Sequence, residues 1–320
     1  MIKLEDIKKV SCIGSGVIGS GWAICYAMHE YDVVMYDIND GQLDVGKKYL
    51  TDSLNSMVDL GAISAKKAEE VQKKISWSTD LETTLKDTLF IQENGPEKVE
   101  VKQRILSQVE EFANPKAVYA SSTSGLMISD ITSNAKHPER CLGAHPYNPA
   151  HIIPLIELTK SEKTNPEYVT LAQKIYQAVG KEAIVLQKEC PGYIANRLQL
   201  ALGRECQDLI MRGVCTAEDV DKAVVYGPGL RWAIFGPNMI MQLCSPQGLR
   251  ETYKTFKGAD AWLKDMANWT EQPEGFGEIA QAQVDTMMKN FPDGIGHNND
   301  DCAKYRDKML INILKLHGKF

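Results

Sequence analysis

A chain of 320 residues has room for two domains, or one large one. With 43% hydrophobic and 24% charged residues it can bury a substantial core, as ordinary globular proteins do. The net charge of −6, with no basic arm or stripe, excludes nucleic acid as the main partner, and no apolar run is long enough to span a membrane.

The N-terminal run MIKLEDIKKV lacks the apolar core of a secretory signal, so the cytoplasm is the expected location. The first 190 residues alternate short β-rich runs with helical patterns, the rhythm of βαβ units. Strands are predicted at Val10–Ile13, Val33–Tyr36, Leu89–Gln92, Ala117–Ala120, Cys141–Ala144, Ile152–Leu158 and Ala183–Gln187. Helical spacing marks Val17–Met28, Val99–Phe112 and Pro166–Val179. The Lys- and Glu-rich stretch from about 41 to 74 exceeds an ordinary crossover and reads as an inserted helical hairpin turning at Gly61.

The pattern changes at Cys190–Pro191–Gly192, after which nearly every run is helical, beginning with Tyr193–Arg212. Thr216 reads as an N-cap followed by Glu218 and Asp219 in the first turn. A last helix is predicted from about Asp301 to Leu316, after the capping-rich run His297–Asp300. The expected fold is therefore a Rossmann-type doubly wound α/β domain over residues 1–190, followed by an all-helical domain over 191–320.

Eight cysteines are scattered with no CxxC pair, and read as small, mostly buried hydrophobes rather than as disulfides or a nucleophile. The run His297–Asp301 could be read as a metal site, but helix capping explains it, and no metal is expected.

Gly14–Ser15–Gly16–Val17–Ile18–Gly19 matches GxGxxG between a predicted strand and a predicted helix. Gly14 permits the tight turn, Gly16 lets the backbone approach a pyrophosphate, and Gly19 lets helix and strand pack closely. The free N–H groups at the helix start, from Val17 and Ile18, would face the phosphates. Asp37 lies 18 residues after Gly19, where the acid that binds the ribose diol belongs. A carboxylate there repels a 2′-phosphate, so the expected cofactor is NAD rather than NADP.

Four polar residues stand where polarity is costly. His145 ends a strand, Glu157 interrupts an apolar run, Ser124 follows a strand, and Asn196 interrupts the first helix of the second domain. Strand ends of an open parallel sheet face a ligand crevice, and a buried glutamate needs a partner such as histidine.

Taken together these segments resemble the 3-hydroxyacyl-CoA dehydrogenase family over nearly the whole chain. Tyr-Ala-Ser-Ser-Thr-Ser-Gly-Leu resembles its serine loop, Ala-His-Pro-Tyr-Asn-Pro its histidine motif, and Ile-Pro-Leu-Ile-Glu-Leu its glutamate strand. Pro-Gly-Tyr-Ile-Ala-Asn-Arg-Leu resembles the segment opening its helical domain, and Gln-Glu-Asn-Gly-Pro-Glu the loop beneath the nicotinamide. The resemblance implies an NAD-dependent oxidation in which His145 takes the hydroxyl proton and Glu157 holds its imidazole. Ser124 and Asn196 would bond the reacting oxygen, and Glu97 and Lys102 would contact the cofactor. It also implies a homodimer through the helical domain.

Within the family, Ser-Ser-Thr-Ser-Gly-Leu, His-Pro-Glu-Arg-Cys and Gly229–Trp232 are similar to the L-carnitine dehydrogenase subgroup. Phe235–Gly236–Pro237 is nearer the L-gulonate 3-dehydrogenase/lambda-crystallin group. A small 3-hydroxy acid is the expected substrate, L-carnitine first. Its trimethylammonium suits an aromatic wall from Tyr147 or Trp232, with Trp262 and Trp269 as further candidates, and its carboxylate suits Arg231. Two rivals remain. One is a dehydrogenase of true CoA thioesters, served by Lys47, Lys48, Lys66, Lys67, Lys73 and Lys74. The other is a non-catalytic, crystallin-like NAD-binding protein.

Overall fold

The computed structural model describes residues 2–255 and 260–319. In chain order the first part runs β1 (Lys9–Ile13), α1 (Val17–Met28), β2 (Asp32–Tyr36), α2 (Asp40–Asp59), α3 (Ala65–Lys73), β3 (Ile75–Ser78) and α4 (Leu81–Leu85). It continues with β4 (Phe90–Glu93), α5 (Val99–Phe112), β5 (Val118–Ser121), α6 (Ile128–Ile131), β6 (Cys141–Pro146), β7 (Leu155–Thr159), α7 (Pro166–Ala178) and β8 (Glu182–Val185). Helices follow: α8 (Ala195–Met211), α9 (Ala217–Tyr226), α10 (Pro228–Trp232), α11 (Pro237–Gln242), α12 (Leu249–Thr255), α13 (Asp260–Asp265), α14 (Glu278–Lys289) and α15 (Asn299–Leu316). Two compact units emerge. One holds the residues up to Asn196 together with those from Arg306 onward, and the other holds Arg197–Tyr305.

The first unit is built on one eight-stranded sheet in the order β3-β2-β1-β4-β5-β6-β7-β8. Strand order reverses between β1 and β4, the switch point at which doubly wound folds bind their ligands. Every pair is parallel except β6 with β7. Residues 147–154 between those two strands are too few for a crossover helix, so the chain can only turn back. The expected doubly wound sheet is thus present with one antiparallel pair that the sequence pattern did not specify. The turn also trims the predicted strand at 152–158 to Leu155–Thr159. β3 was not predicted. Its Ile-Ser-Trp-Ser alternation is the period of a strand, but four residues at a sheet edge give a weak signal.

β4, β5 and β6 are buried along their whole length, as strands covered on both faces must be. An aromatic group packs beneath them: Trp22 and Tyr176 have ring centroids 5.2 Å apart, and Phe90 and Tyr176 5.7 Å apart. Tyr26 stacks on Trp22 at 5.5 Å, and the buried hydroxyls of Tyr26 and Tyr176 need acceptors. Gln92 Oε1 accepts from Tyr26 at 2.8 Å and from Tyr176 at 2.6 Å, while its Nε2 donates to Ser122 Oγ at 2.9 Å. A fully paired buried network of this kind selects one arrangement of the core.

In the second unit, Thr216 caps α9 through a reciprocal box with Asp219. The first predicted helix starts later than expected, at Ala195 rather than Tyr193, because Tyr193 sits at φ +51°, outside the helical region. Asn298 Oδ1 accepts from Asp301 N at 3.0 Å, so that polar run does cap α15. Among the described residues no His/Cys/Asp/Glu group is arranged to hold a metal ion, and no helix is long and apolar enough to cross a membrane. All eight cysteines are free. Only Cys12, Cys25 and Cys141 are buried, fewer than expected.

Gln92→Leu removes the shared acceptor while nearly preserving volume, leaving two phenols unpaired in the core. It should destabilise the protein by about 2–4 kcal/mol in urea unfolding. A loss below about 0.5 kcal/mol would mean the network contributes nothing.

Candidate active site

The glycine loop joins β1 to α1 at the switch point. Gly14 has φ +95°, and a Cβ there would sit 2.8 Å from the Asn94 carbonyl oxygen. A Cβ on Gly19 would overlap the Gly14 carbonyl oxygen. Gly16 differs: a Cβ there would meet nothing within 4 Å, so this stretch of backbone borders open space. It caps α1, whose first-turn N–H groups, those of Val17 and Ile18 among them, have no partner within the helix. At the end of β2, Asp37 Oδ2 accepts from Ser15 N at 2.8 Å and lies 2.8 Å from Ser15 Oγ, while Oδ1 accepts from Ile38 N. The acid is thereby fixed beside the loop. An open, N–H-lined cradle flanked by a carboxylate fits a dinucleotide with an unmodified ribose diol.

On the other side of the switch point, the loops after β4 and β5 are tied together. Glu97 Oε1 accepts from Thr123 Oγ1 and from Ser124 N, each at 2.7 Å, and Ser124 Oγ lies 3.0 Å away. Burial works against the Glu97 charge. The Thr123 hydroxyl, Lys102 and the Ser124 donors outweigh it and hold the carboxyl below its ordinary range. Lys102 was expected as a cofactor contact, and the structure uses it differently. Its enclosed ammonium donates to Glu93 Oε1 (2.9 Å), Glu93 Oε2 (3.1 Å) and Gly95 O (3.1 Å). An ammonium has three hydrogens to donate, so none is left for a ligand. Lys102 thereby braces the loop that carries Glu97.

His145 and Glu157 sit directly opposite each other on the antiparallel strands β6 and β7. Cross-strand neighbours share a face, so the register alone brings them together. His145 lies within β6, one residue from its end, and Glu157 is in the middle of β7. His145 Nδ1 and Glu157 Oε2 are 2.9 Å apart. The other oxygen of Glu157 accepts from Ile194 N at 2.9 Å and from Ala195 N at 3.0 Å, at the start of α8. Burial disfavours the Glu157 charge, but the bonds from His145, Ala195 and Ile194 prevail and keep its carboxyl below the ordinary range. An ionised carboxylate can only accept, so Nδ1 carries the hydrogen and Nε2 is left as the basic nitrogen.

Around this pair Tyr193 and Tyr147 pack their rings 5.6 Å and 5.2 Å from the imidazole. Tyr147 Oη donates to Asn196 Oδ1 at 3.1 Å, and Asn196 Nδ2 donates to the Ser124 carbonyl at 2.8 Å. The four residues expected to carry the chemistry, His145, Glu157, Ser124 and Asn196, thus belong to one cluster with Tyr147.

Some contributors carried no signal in the sequence. Lys181 is buried, donates to the carbonyls of Ala150 and Ile153, and lies over the Trp22 ring, pinning the connection between β6 and β7. His151, in that same connection, is pushed down to about 4 by burial and by Lys181, so it stays neutral near pH 7. Arg231 and Trp232 belong to the second unit, on the short helix α10, and both are exposed. Trp262 is also exposed, whereas Trp269 packs against Phe276.

A family model described as "3-hydroxyacyl-CoA dehydrogenase, NAD binding domain" matches residues 9–190, and its C-terminal counterpart matches residues 192–278. The chain belongs to the 3-hydroxyacyl-CoA dehydrogenase family. It is an NAD-dependent dehydrogenase, and this displaces the reading as a non-catalytic structural protein. An L-carnitine dehydrogenase of Bacillus cereus is 34% identical over 99% of this chain and 94% of its own. A 3-hydroxyacyl-CoA dehydrogenase of Gibberella moniliformis is 35% identical over 98% and 96%. Among solved structures, 5-formyl-3-hydroxy-2-methylpyridine 4-carboxylic acid 5-dehydrogenase, an NAD+-dependent dismutase, superposes with a TM-score of 0.81. It is 25% identical over 97% of this chain and 98% of its own.

Two expectations follow. Fluorescence titration should give NADH at least about tenfold tighter binding than NADPH, because the Asp37 charge opposes a 2′-phosphate. Asp37→Ala should narrow that gap and weaken both, since Ser15 loses its anchor; equal affinities in the wild type would refute the assignment. Glu157→Gln should cost about 2 kcal/mol of stability at pH 7. A carboxyl whose pKa is lowered on folding stabilises above its unfolded value, near 4.3, and loses that contribution as pH falls through the folded value. The difference between the two proteins in urea midpoint should therefore shrink below about pH 4. A difference independent of pH would contradict an ionised Glu157.

Proposed function

We propose that the chain oxidises the 3-hydroxyl of a small, CoA-free 3-hydroxy acid, with L-carnitine, giving 3-dehydrocarnitine, as the leading candidate. The observation that carries the chemistry is the His145–Glu157 pair joined to Tyr147, Asn196 and Ser124 in one cluster. His145 Nε2 accepts the hydroxyl proton as the carbon loses its hydride, and Glu157 stabilises the imidazolium that results. Asn196 and Ser124 donate to the oxygen as it becomes a carbonyl. NAD, held by Gly14–Gly19, Asp37 and the Glu97 loop, supplies the hydride acceptor.

Two observations favour a substrate without CoA. First, five of the six lysines on α2, α3 and the residue that follows are engaged by carboxylates. Lys47 pairs with Asp44 (2.8 Å), Lys48 with Asp52 (2.7 Å), Lys66 with Glu70 (3.9 Å), and Lys67 and Lys74 with Glu30 (2.9 and 3.2 Å). Paired cations make a poor cradle for nucleotide phosphates. Second, the Bacillus relative and the pyridine carboxylic acid dehydrogenase are both named for small free acids. Tyr147, whose ring lies beside His145, suits the cation of such a substrate. The Gibberella relative, named for CoA thioesters at comparable identity, supports a second reading in which (S)-3-hydroxybutyryl-CoA is the substrate. L-Gulonate is a third candidate.

A cytoplasmic homodimer is part of the proposal. Free thiols suit a reducing compartment, and the second unit carries large exposed apolar side chains such as Leu200, Tyr226, Ile234 and Leu263.

The test is NAD-linked turnover of L-carnitine, L-gulonate, 3-hydroxybutyrate and (S)-3-hydroxybutyryl-CoA. A free acid should be preferred by at least about tenfold in kcat/KM; turnover of the thioester alone would overturn the proposal. With the best substrate, His145→Gln should lower kcat by about two to four orders of magnitude and leave NADH binding unchanged.

A further inference from the structure

We propose that the Tyr147 hydroxyl is a positioning group for the reaction, because its bond to Oδ1 fixes the Asn196 side-chain amide with an N–H turned to the reacting oxygen and opposes the competition of Oδ1 with His145 for the substrate hydroxyl. The inference rests on the proposed role of Asn196 at the reacting oxygen.

A side-chain amide has two ends of opposite polarity, and only one of them serves this chemistry. The oxygen of the forming carbonyl needs an N–H donor. The substrate hydroxyl, before it reacts, has a single hydrogen, which must point at His145 Nε2. An acceptor facing it would draw that hydrogen away. Asn196 Nδ2 donates to the Ser124 carbonyl at 2.8 Å, and this places the nitrogen on the Ser124 side, since a flipped amide would set two oxygens against each other. Oδ1 then faces Tyr147 at 3.1 Å. Oδ1 carries no hydrogen, so the phenol must be the donor. With one Nδ2 hydrogen on Ser124 the second N–H is free for a ligand, while any further donor to Oδ1 would have to share it with the phenol and leave its favoured direction.

Tyr147 is well placed for this. It follows His145 by two residues, just past the end of β6, and its ring lies 5.2 Å from the imidazole at an interplanar angle of 56°. One side chain therefore spans the base and the oxygen-binding amide. Burial and the nearby Glu157 charge push the phenol up to about 12, so it remains a donor across the working pH range.

Tyr147→Phe isolates the hydroxyl, because the ring and its contact with His145 remain. With the fastest substrate of the panel above, kcat should fall about tenfold, with KM for NAD and the melting temperature unchanged. Asn196→Ala should itself lower kcat about a hundredfold. In that background Tyr147→Phe should add less than about twofold, since two groups acting through one contact are not additive. A full tenfold effect in the Asn196→Ala background would overturn the proposal and make Tyr147 a direct substrate contact. Wild-type kcat in Tyr147→Phe alone would overturn it and leave Asn196 in its role. Wild-type kcat in Asn196→Ala would remove the role of Asn196 and the proposal together. Independently of any substrate, the Asn196 side-chain amide resonances of 15N-labelled protein should shift in Tyr147→Phe; unchanged resonances would count against the hydrogen bond.

Discussion

A carboxylate with no exposure to water sits in the middle of β7 and accepts from three donors on two separate segments of the chain. An unpaired charge in such a place is costly enough that the group would rather be neutral. Glu157 keeps its charge because His145 Nδ1 and the backbone N–H groups of Ile194 and Ala195 all point at it. The consequences reach past electrostatics. The same oxygen pair fixes the tautomer of the imidazole and anchors the beginning of α8, the helix that carries Asn196. His145 and the helix start that carries Asn196 are thus referred to one fixed point. The two N–H groups belong to a helix start, where backbone donors have no partner of their own, so each side of the contact supplies what the other lacks.

This arrangement depends on the reversal of one strand. In a parallel β7 the partner of His145 would follow a long crossover, and the pairing would be set by helix length. The short turn through residues 147–154 makes His145 and Glu157 direct cross-strand neighbours instead, held by ladder geometry. Lys181, with backbone carbonyls of that turn as its acceptors, fastens the turn and lies over Trp22 on the helix that follows the glycine loop. From Trp22 the polar contacts continue to Ser122 and Asn94, and from Asn94 back to the end of β1. The glycine loop and the strands that carry His145 and Glu157 are therefore parts of one connected frame. Such a frame suits chemistry in which small displacements of donor and base cost rate.

Charges on this frame are used for shape as often as for reactivity. Lys102 is enclosed with Glu93, and the pair holds the loop that presents Glu97. Glu97 in turn accepts from the serine loop, so the position of Ser124 is set from β4 rather than from β5 alone. On the outer face, five of the six lysines on α2, α3 and residue 74 are paired with neighbouring carboxylates.

The features legible in the sequence are those that local rules govern. The glycine spacing, the acid at Asp37, the helix at Val99–Phe112 and the cap at Thr216 each follow from steric or hydrogen-bonding demands within a few residues, and the structure has them where the pattern placed them. His145, Glu157, Ser124 and Asn196 could be picked out because polar groups in apolar surroundings demand a reason. The pairing of Glu157 with His145 was legible too, from the need of a buried carboxylate for a partner, but their other contacts were not. The antiparallel turn of β7, the left-handed conformation of Tyr193, the enclosure of Lys102 and the bond from Tyr147 to Asn196 all join segments distant in the chain or depend on which face a strand presents. A lysine reads the same in sequence whether its ammonium meets a cofactor or three buried oxygens. Only the packing of strands around it decides, because hydrogen bonds and desolvation depend on what is within a few ångströms in space, and sequence spacing measures distance only along the chain.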